Sequence, residues 1–215
     1  MGNRGSQKKE RKLTAVEQAR LEHFEEIFKD MEAQGYTRTD LTISITSANV
    51  FSIILAIPIA AAGLILFFLV NREGAVSFGT RSGFTLLFVV FLILVVVHEL
   101  IHGISWSFFS EHHFKDIEFG FMKESLTPYC TCKAPLSKKP YIFGALMPLV
   151  IRGIIPMIIG IVSGSLFMLI LGILMTVSAG GDIMLVRSIL RHKSSAQEEV
   201  YIDHPTEAGS VVFEK

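Results

Sequence analysis

Two histidines and a glutamate in the middle of this chain have the types and the spacing needed to bind a metal ion and to use it. They lie in the run His98-Glu99-Leu100-Ile101-His102. On an α-helix, residues four positions apart share a face, so both imidazoles can reach a single ion. The glutamate beside them can accept a proton from a water molecule at that ion. This HExxH arrangement is typical of zinc metalloproteases.

The apolar surroundings of the motif favour function over coincidence. In a soluble helix, two histidines and a glutamate are often no more than part of a solvated face. Here three valines at 95–97 lead directly into the motif, and ionisable side chains inside a membrane segment are rare and generally functional. We therefore expect His98 and His102 to bind zinc and Glu99 to act as a catalytic general base.

A catalytic zinc site takes three protein ligands and leaves one position open, so a third ligand is needed. Metzincins place a histidine six residues after the second one; here that residue is Phe108, which excludes the class. Asp182 is the preferred candidate because it is the only acidic residue in the last two apolar segments. A bound cation would offset the cost of burying its carboxylate. The alternative is a protonated, hydrogen-bonded aspartate between helices.

Other candidate ligands lie between the second and third apolar segments, namely His112, His113, Glu118 and Glu124. That segment is polar and mixed, where such side chains are ordinary surface residues. Asp182 also fits by depth, because it lies toward the same end of its apolar segment as the histidine pair does. A shared ion requires this agreement.

Arg152 and two cysteines are the remaining residues with conspicuous chemistry. Arg152 is the one basic residue inside the third apolar segment. It is a candidate for contact with the substrate or its oxyanion, for pairing with a carboxylate, or for snorkelling to the interface. Cys130 and Cys132 are spaced poorly for a mutual disulfide. We expect them to be ordinary strand residues rather than a second metal site.

The composition indicates a membrane protein. Half of the 215 residues are hydrophobic and 19% are charged, whereas about a quarter are charged in soluble domains. The charges concentrate in residues 1–46, 110–140 and 187–215, which leaves apolar stretches long enough to cross a bilayer. Basic and acidic residues balance at 20 each. We expect no nucleic-acid partner, and the basic cluster at 8–12 suits anionic lipid.

The sequence predicts an all-α polytopic membrane fold with four transmembrane helices and a β-prone insert over residues 110–140. The expected spans are 48–70, 82–109, 141–162 and 166–185, the last two joined by a short turn. An amphipathic helix over 14–35 precedes them, with a capping box at its start and a glycine at its end. The alternation over 41–46 predicts a short strand.

These elements divide the chain into three parts. We expect a cytosolic segment at 1–46, a four-helix zinc metallopeptidase domain at 47–190 and a cytosolic tail at 191–215. The charged segments hold 17 lysines and arginines, against only Arg72 and Arg81 in the opposite loop. The positive-inside rule therefore predicts an integral membrane protein with both termini in the cytosol.

Three stretches resemble those of known membrane proteins. The order of elements is similar to that of the site-2 proteases. It has HExxH in a transmembrane helix, then a mixed segment, then two more helices with an aspartate on the last. The runs at 98–103, 127–136 and 180–183 resemble more closely a group of bacterial membrane proteins classed as putative zincin peptidases. This resemblance covers roughly residues 40–190. Site-2 proteases carry a glycine after the third ligand, where this chain has Ile183.

The resemblance implies zinc bound by His98, His102 and Asp182, with Glu99 as general base. It also implies a bacterial plasma membrane as the location, with the lipid bilayer and a membrane-protein or peptide substrate as partners. The leading expectation is a membrane-embedded zinc metalloprotease that cleaves near the cytosolic face. A metal transporter or sensor, or a scaffold with a structural zinc, remains open. Glu99 discriminates between them, because only hydrolysis needs a base there.

Overall fold

The computed structural model describes residues 14–72, 81–122 and 127–215. The basic cluster at 8–12 and Glu124 lie outside the described residues. Within these ranges the protein is mostly helical, with two small antiparallel sheets. The all-α class predicted from sequence is therefore too narrow, because strands also form on either side of the apolar segments.

The first helix, α1, spans Ala15–Ala33 and has the predicted capping box. The Thr14 hydroxyl accepts a hydrogen bond from the backbone N–H of Glu17 at 3.3 Å, and the Glu17 carboxylate accepts one from Thr14 at 2.8 Å. Gly35, with φ of 88°, follows the helix as expected. Phe24 is buried and its ring stacks on Phe213 with centroids 6.1 Å apart. This contact packs α1 against the larger sheet.

The strand predicted at 41–46 lies earlier in the chain. It is β1, Thr37–Thr42, and the next helix already begins at Ile45. Ser44 is the cause, because its hydroxyl caps the new helix by accepting a hydrogen bond from the backbone N–H of Ser47. The alternating pattern therefore crosses from a strand into the first turn of a helix.

Among the described residues, three apolar helices are long enough to cross a membrane. They are α2 at Ile45–Val70, α3 at Arg81–Ser107, and a continuous helix over Lys138–Ser163. The last consists of α4 at Lys138–Pro148, a π-helical stretch at Leu149–Ile154, and α5 at Ile155–Ser163. Gly164, with φ of 69°, then makes the predicted tight turn into a hairpin. Helices α6, Leu166–Ser178, and α7, Gly180–Arg191, would add a fourth span if the bent pair counts as one.

The last apolar segment differs from the continuous helix that the sequence predicts. Helices α6 and α7 meet at a bend of 45°. Ala179 leaves the helical conformation with ψ of 11°, and the two glycines that follow it have low helix propensity. Gly180 also packs against Ser52 of α2, where an added Cβ would lie 2.8 Å from the serine Cβ. The bend therefore reflects both weak local helix formation and a close helix contact.

In the described part of the chain, six strands form two sheets. The larger sheet has the order β1-β6-β5-β4, and the smaller is the hairpin β2-β3. The remaining strand bounds are Ile117–Met122 for β2, Thr127–Cys132 for β3, Leu136–Ser137 for β4, Glu199–Asp203 for β5 and Gly209–Glu214 for β6. A 3-10 turn, His113–Asp116, leads into β2. All pairings are antiparallel.

Residues 191–215, expected to be a tail, supply the two central strands of the larger sheet. Tyr201, Val211, Val212 and Phe213 are completely buried. The sequence carries a signal for these strands, because both segments are rich in β-branched and aromatic residues and are separated by Pro205 and Gly209.

Candidate metal centre

The three ligands predicted from sequence converge in the structure. Helix α3 carries His98 and His102 on one face, and the first turn of α7 brings Asp182 against them. The Nε2 atom of His98 lies 3.1 Å from Oδ2 of Asp182, and that of His102 lies 3.4 Å from Oδ1. The two Nε2 atoms are 2.9 Å apart. Among the described residues, these three have ligand atoms that all lie within 4.8 Å of one another.

The chemistry of these groups fits a metal ion. The carbonyl of Gly144 lies 2.9 Å from Nδ1 of His102. Because a carbonyl can only accept, Nδ1 of His102 carries the proton, and Nε2 is the ring nitrogen that faces Asp182 and can bind a metal ion. A cation between the Nε2 atoms and the carboxylate of Asp182 would be bound by all three groups at once. Two imidazoles and a carboxylate are a typical donor set for zinc.

The orientation of His102 is fixed by α4. The ring of Trp106 stacks on His102 with centroids 5.0 Å apart and an interplanar angle of 12°. The indole N–H of Trp106 donates to the carbonyl of Tyr141 at 3.1 Å. An added Cβ on Gly144 would collide with this indole. Glycine at this position therefore lets α4 come close enough for its carbonyl to reach the histidine.

Glu99 lies next to His98 and is partly buried. Its carboxylate accepts a hydrogen bond from the backbone N–H of Cys130 in β3. The hairpin is held against α3 at Gly103, where an added Cβ would collide with the ring of Phe119 and lie 2.9 Å from Ile117. The candidate base is therefore oriented by a strand rather than by its own helix.

Arg152 is buried, with 3% of its surface exposed, and lies in the π-helical stretch. Its guanidinium contacts Nδ1 of His98, the carbonyl of Leu94 at 2.5 Å and the sulfur of Met175 at 2.9 Å. The contacted nitrogen of His98 is not the one that faces Asp182. Arg152 therefore lies on the side of His98 that faces away from Asp182.

The other candidate ligands lie elsewhere. His112 pairs with Asp116 at 3.4 Å, and Nδ1 of His113 lies 2.8 Å from the carbonyl of Ser107. Glu118 forms an ion pair with Arg20 of α1. Within the described ranges none of them joins the metal-ligand cluster.

The two cysteines are free thiols. Burial raises the pKa of Cys132 to about 12 and that of Cys130 well above its usual range. A thiolate is the form that binds metal, so protonated thiols at neutral pH are poor ligands. This agrees with their interpretation as strand residues.

Sequence reasoning missed the residues that hold the ligands, above all Trp106, Tyr141 and Gly144. The signal for Trp106 was present, because it follows His102 by four positions and so lies on the same face of the helix. Gly144 contributes a backbone carbonyl, which no side-chain pattern reveals.

Comparison with known proteins adds one finding. Residues 91–197 match the model of a family described as putative zincin peptidase. The matched range contains the three converging ligands, Glu99 and Arg152. No significant match occurs among curated proteins or solved structures.

Proposed function

Residues 91–197 place this chain in the putative zincin peptidase family, and from that premise we propose that it is a membrane-embedded zinc metalloendopeptidase of the site-2 protease type. The observation that carries the proposal is the convergence of His98, His102 and Asp182 beside Glu99. The motif also lies in a helix long and apolar enough to cross a membrane. A protease needs both the ligands and the adjacent base.

The proposed reaction assigns distinct roles to the chain's own groups. His98, His102 and Asp182 would hold the ion and leave a position open for water or substrate. When bound, zinc polarises the scissile carbonyl and activates a water molecule. Glu99 accepts a proton from the attacking water and delivers it to the leaving amine. The hydrogen bond from Cys130 keeps its carboxylate in place.

Arg152 was considered a substrate or oxyanion contact, and its surroundings support a different proposal. Its guanidinium contacts His98 and the Leu94 carbonyl. A cation behind His98 would balance the carboxylate of Asp182 in an apolar region. We therefore propose that Arg152 balances the charge of Asp182 at the ligand set rather than contacting the oxyanion.

The substrate is proposed to be an extended segment of a membrane protein. A transmembrane helix must unwind before cleavage, because its carbonyls are otherwise engaged in helical hydrogen bonds. Within the described residues, β3 pairs with a strand along one edge only, and its other edge approaches Glu99 at Cys130. The N–H groups of Cys130 and Cys132 on that edge already bond Glu99 and Asp203, so a peptide would add there by donating its own N–H groups to the carbonyls of β3. Cleavage that survives removal of the hairpin would contradict this.

The proposed setting is a bacterial plasma membrane with four spans, the bent α6–α7 pair counting as one, and both termini in the cytosol. The basic residues support this orientation. The segments 1–46, 110–140 and 187–215 hold 17 of them, whereas the opposite loop holds two. The site would then lie near the cytosolic surface, where water can reach it.

The decisive experiment compares purified wild type with Glu99→Gln. We expect each to bind one zinc per chain and cleavage of single-span substrates to fall by about 100-fold or more in the variant. Glu22→Gln, at an exposed position of α1, is the matched control. Zinc binding without cleavage by either protein would favour a transporter or sensor. Absence of zinc from both would refute the proposal.

A further inference from the structure

Asp203, the last residue of β5, lies where three elements meet. Its Oδ1 accepts a hydrogen bond from the hydroxyl of Tyr141 in α4. Its Oδ2 accepts one from the backbone N–H of Cys132 in β3 at 2.7 Å, and the side chain of Thr131 forms a third. A single carboxylate therefore joins the start of α4 to β3.

The first set of contacts runs from Asp203 to a predicted metal ligand. Tyr141 is completely buried, and its ring stacks on Trp106 with centroids 5.7 Å apart. Trp106 in turn stacks on His102 and donates its N–H to the Tyr141 carbonyl. One turn further along α4, the carbonyl of Gly144 binds the same histidine. The position of the first turn of α4 thus sets the position of His102.

The second set of contacts runs from Asp203 to the candidate base. Cys132 and Cys130 are two residues apart on β3, so their backbone N–H groups point to the same side of the strand. Asp203 accepts the hydrogen bond of Cys132, and Glu99 accepts that of Cys130. The carboxylate of Asp203 therefore fixes the strand that orients Glu99.

Strand β5 is held firmly in place, because it pairs with a strand on each side within the larger sheet. The ammonium of Lys138, at the start of α4, lies 2.9 Å from the carboxylate of Glu199 in β5. The hydroxyl of Tyr201 donates to the same carboxylate at 3.0 Å, and Leu136 pairs with Tyr201 across the strands. The sheet therefore holds α4 at several points.

We propose that Asp203 is a positioning residue that sets the relative placement of His102 and Glu99. It touches neither substrate nor metal and acts through α4 and β3. The inference rests on the proposed peptidase function, because it assigns Asp203 to the ligand and the base of that site. It also makes β5 part of the metal centre, although this strand lies beyond the matched family range.

The test uses the full-length protein in detergent with Asp203→Ala and Tyr141→Phe. Loss of outer contacts to a metal ligand typically lowers metal affinity or activity by about 10–100-fold. We expect Asp203→Ala to lower zinc affinity about tenfold and to change the visible spectrum of the cobalt-loaded protein. We also expect kcat to fall while KM changes little. Tyr141→Phe removes the hydroxyl contact toward α4 but leaves the contacts of Asp203 to β3, so it should change the spectrum less.

Matched controls come from β1 of the same sheet and from the residue just before it. Asp40→Ala removes an exposed carboxylate on β1 that pairs with Arg38 at 2.8 Å. Tyr36→Phe removes a hydroxyl that donates to Glu198 at 2.5 Å. Neither should alter zinc affinity or the cobalt spectrum. Only a positioning role predicts that the spectrum changes in a protein that remains folded.

Two results would overturn the inference. One is a folded Asp203→Ala protein with the zinc affinity and cobalt spectrum of wild type. The other, which decides if Asp203→Ala does not fold, is a Tyr141→Phe protein that behaves like Tyr36→Phe in both measurements. Failure of the proposed function is a separate outcome, because wild type would then bind no metal or bind it without cleaving substrates.

Discussion

The three predicted ligands differ in how firmly their surroundings hold them. The side chains of His98 and His102 are 11% and 6% exposed, whereas that of Asp182 is 22% exposed. His102 is restrained by an aromatic stack and by a backbone carbonyl. Asp182 lies in the first turn of a short helix. It is therefore the ligand whose replacement disturbs the fold least and reports most directly on metal binding.

We predict that Asp182→Asn lowers zinc affinity by more than the roughly 10–100-fold typical of outer contacts. The amide is nearly isosteric but lacks the negative charge that attracts the cation. Competition with a chelator measures the effect. Asp116→Asn, which changes a carboxylate that accepts a hydrogen bond from the backbone of His112, is the control. Unchanged zinc affinity in Asp182→Asn would favour the protonated, hydrogen-bonded aspartate instead.

The sequence indicates these residues because their chemistry is unusual where they lie. An aspartate without nearby charge in an apolar segment and two histidines one helical turn apart attract attention without any knowledge of the fold. Gly144 and Asp203 could not be found in this way. Gly144 acts through a carbonyl that every residue has, and Asp203 is an ordinary acidic residue until β5 pairs with its neighbours.

Among the elements, the bend between α6 and α7 brings Asp182 close to the two histidines. Gly180 makes the bend possible by packing directly on Ser52 of α2. The next residue, Gly181, is different, because an added Cβ there would meet nothing within 4 Å. Two neighbouring glycines therefore differ in their tolerance of a side chain.

We predict that Gly180→Ala lowers zinc affinity and thermal stability, because the new methyl group must push α7 and Asp182 away from α2. Ser52→Gly removes most of the collision and should restore part of both, so the two changes will be non-additive. Gly181→Ala should leave zinc affinity near that of wild type. Equal zinc affinities for Gly180→Ala and Gly181→Ala would contradict this account of the bend.

The elements were predictable where local signals dominate. The capping box defines α1, and long apolar runs define the helices that could span a membrane. The bend at Ala179 was missed because hydropathy continues across it, and hydropathy does not record helix direction. The π-helical stretch between Pro148 and Pro156 was missed because prolines weaken a helix without specifying what replaces it.

For the whole molecule, the two sheets and α1 gather the segments that lie outside the apolar helices. Strand β1 precedes α2, the hairpin β2-β3 and β4 follow α3, and β5 and β6 follow α7. Four spans would bring all of these segments to one side of the bilayer. The loop at 71–72 would lie on the other side.

We predict that labelling of introduced cysteines will show this orientation of the loops and termini. A membrane-impermeant maleimide should label Arg72→Cys in intact cells and Glu22→Cys only after permeabilisation; both positions are exposed. The unaltered chain is the control, since burial and a raised pKa make Cys130 and Cys132 slow to react. The reverse pattern would contradict the proposed orientation.

The larger sheet shows why the whole fold could not be predicted from one sequence. Residues 37–42 pair with residues 209–214, and nothing local specifies which distant strand each will choose. The pairing depends on how the intervening helices place their ends. Patterns reveal that such strands exist, whereas their partners follow from the tertiary structure.

The same pairing has a consequence for biosynthesis. Thr37 meets Glu214 across 177 positions of the chain, so the sheet closes only after every apolar segment has left the ribosome. Closing so large a loop is late and slow compared with forming a helix. If Asp203 positions the site as proposed, the nascent chain is inserted before its catalytic groups are aligned. Its own order of synthesis would then delay the proposed proteolysis until residues 209–214 have been made and paired.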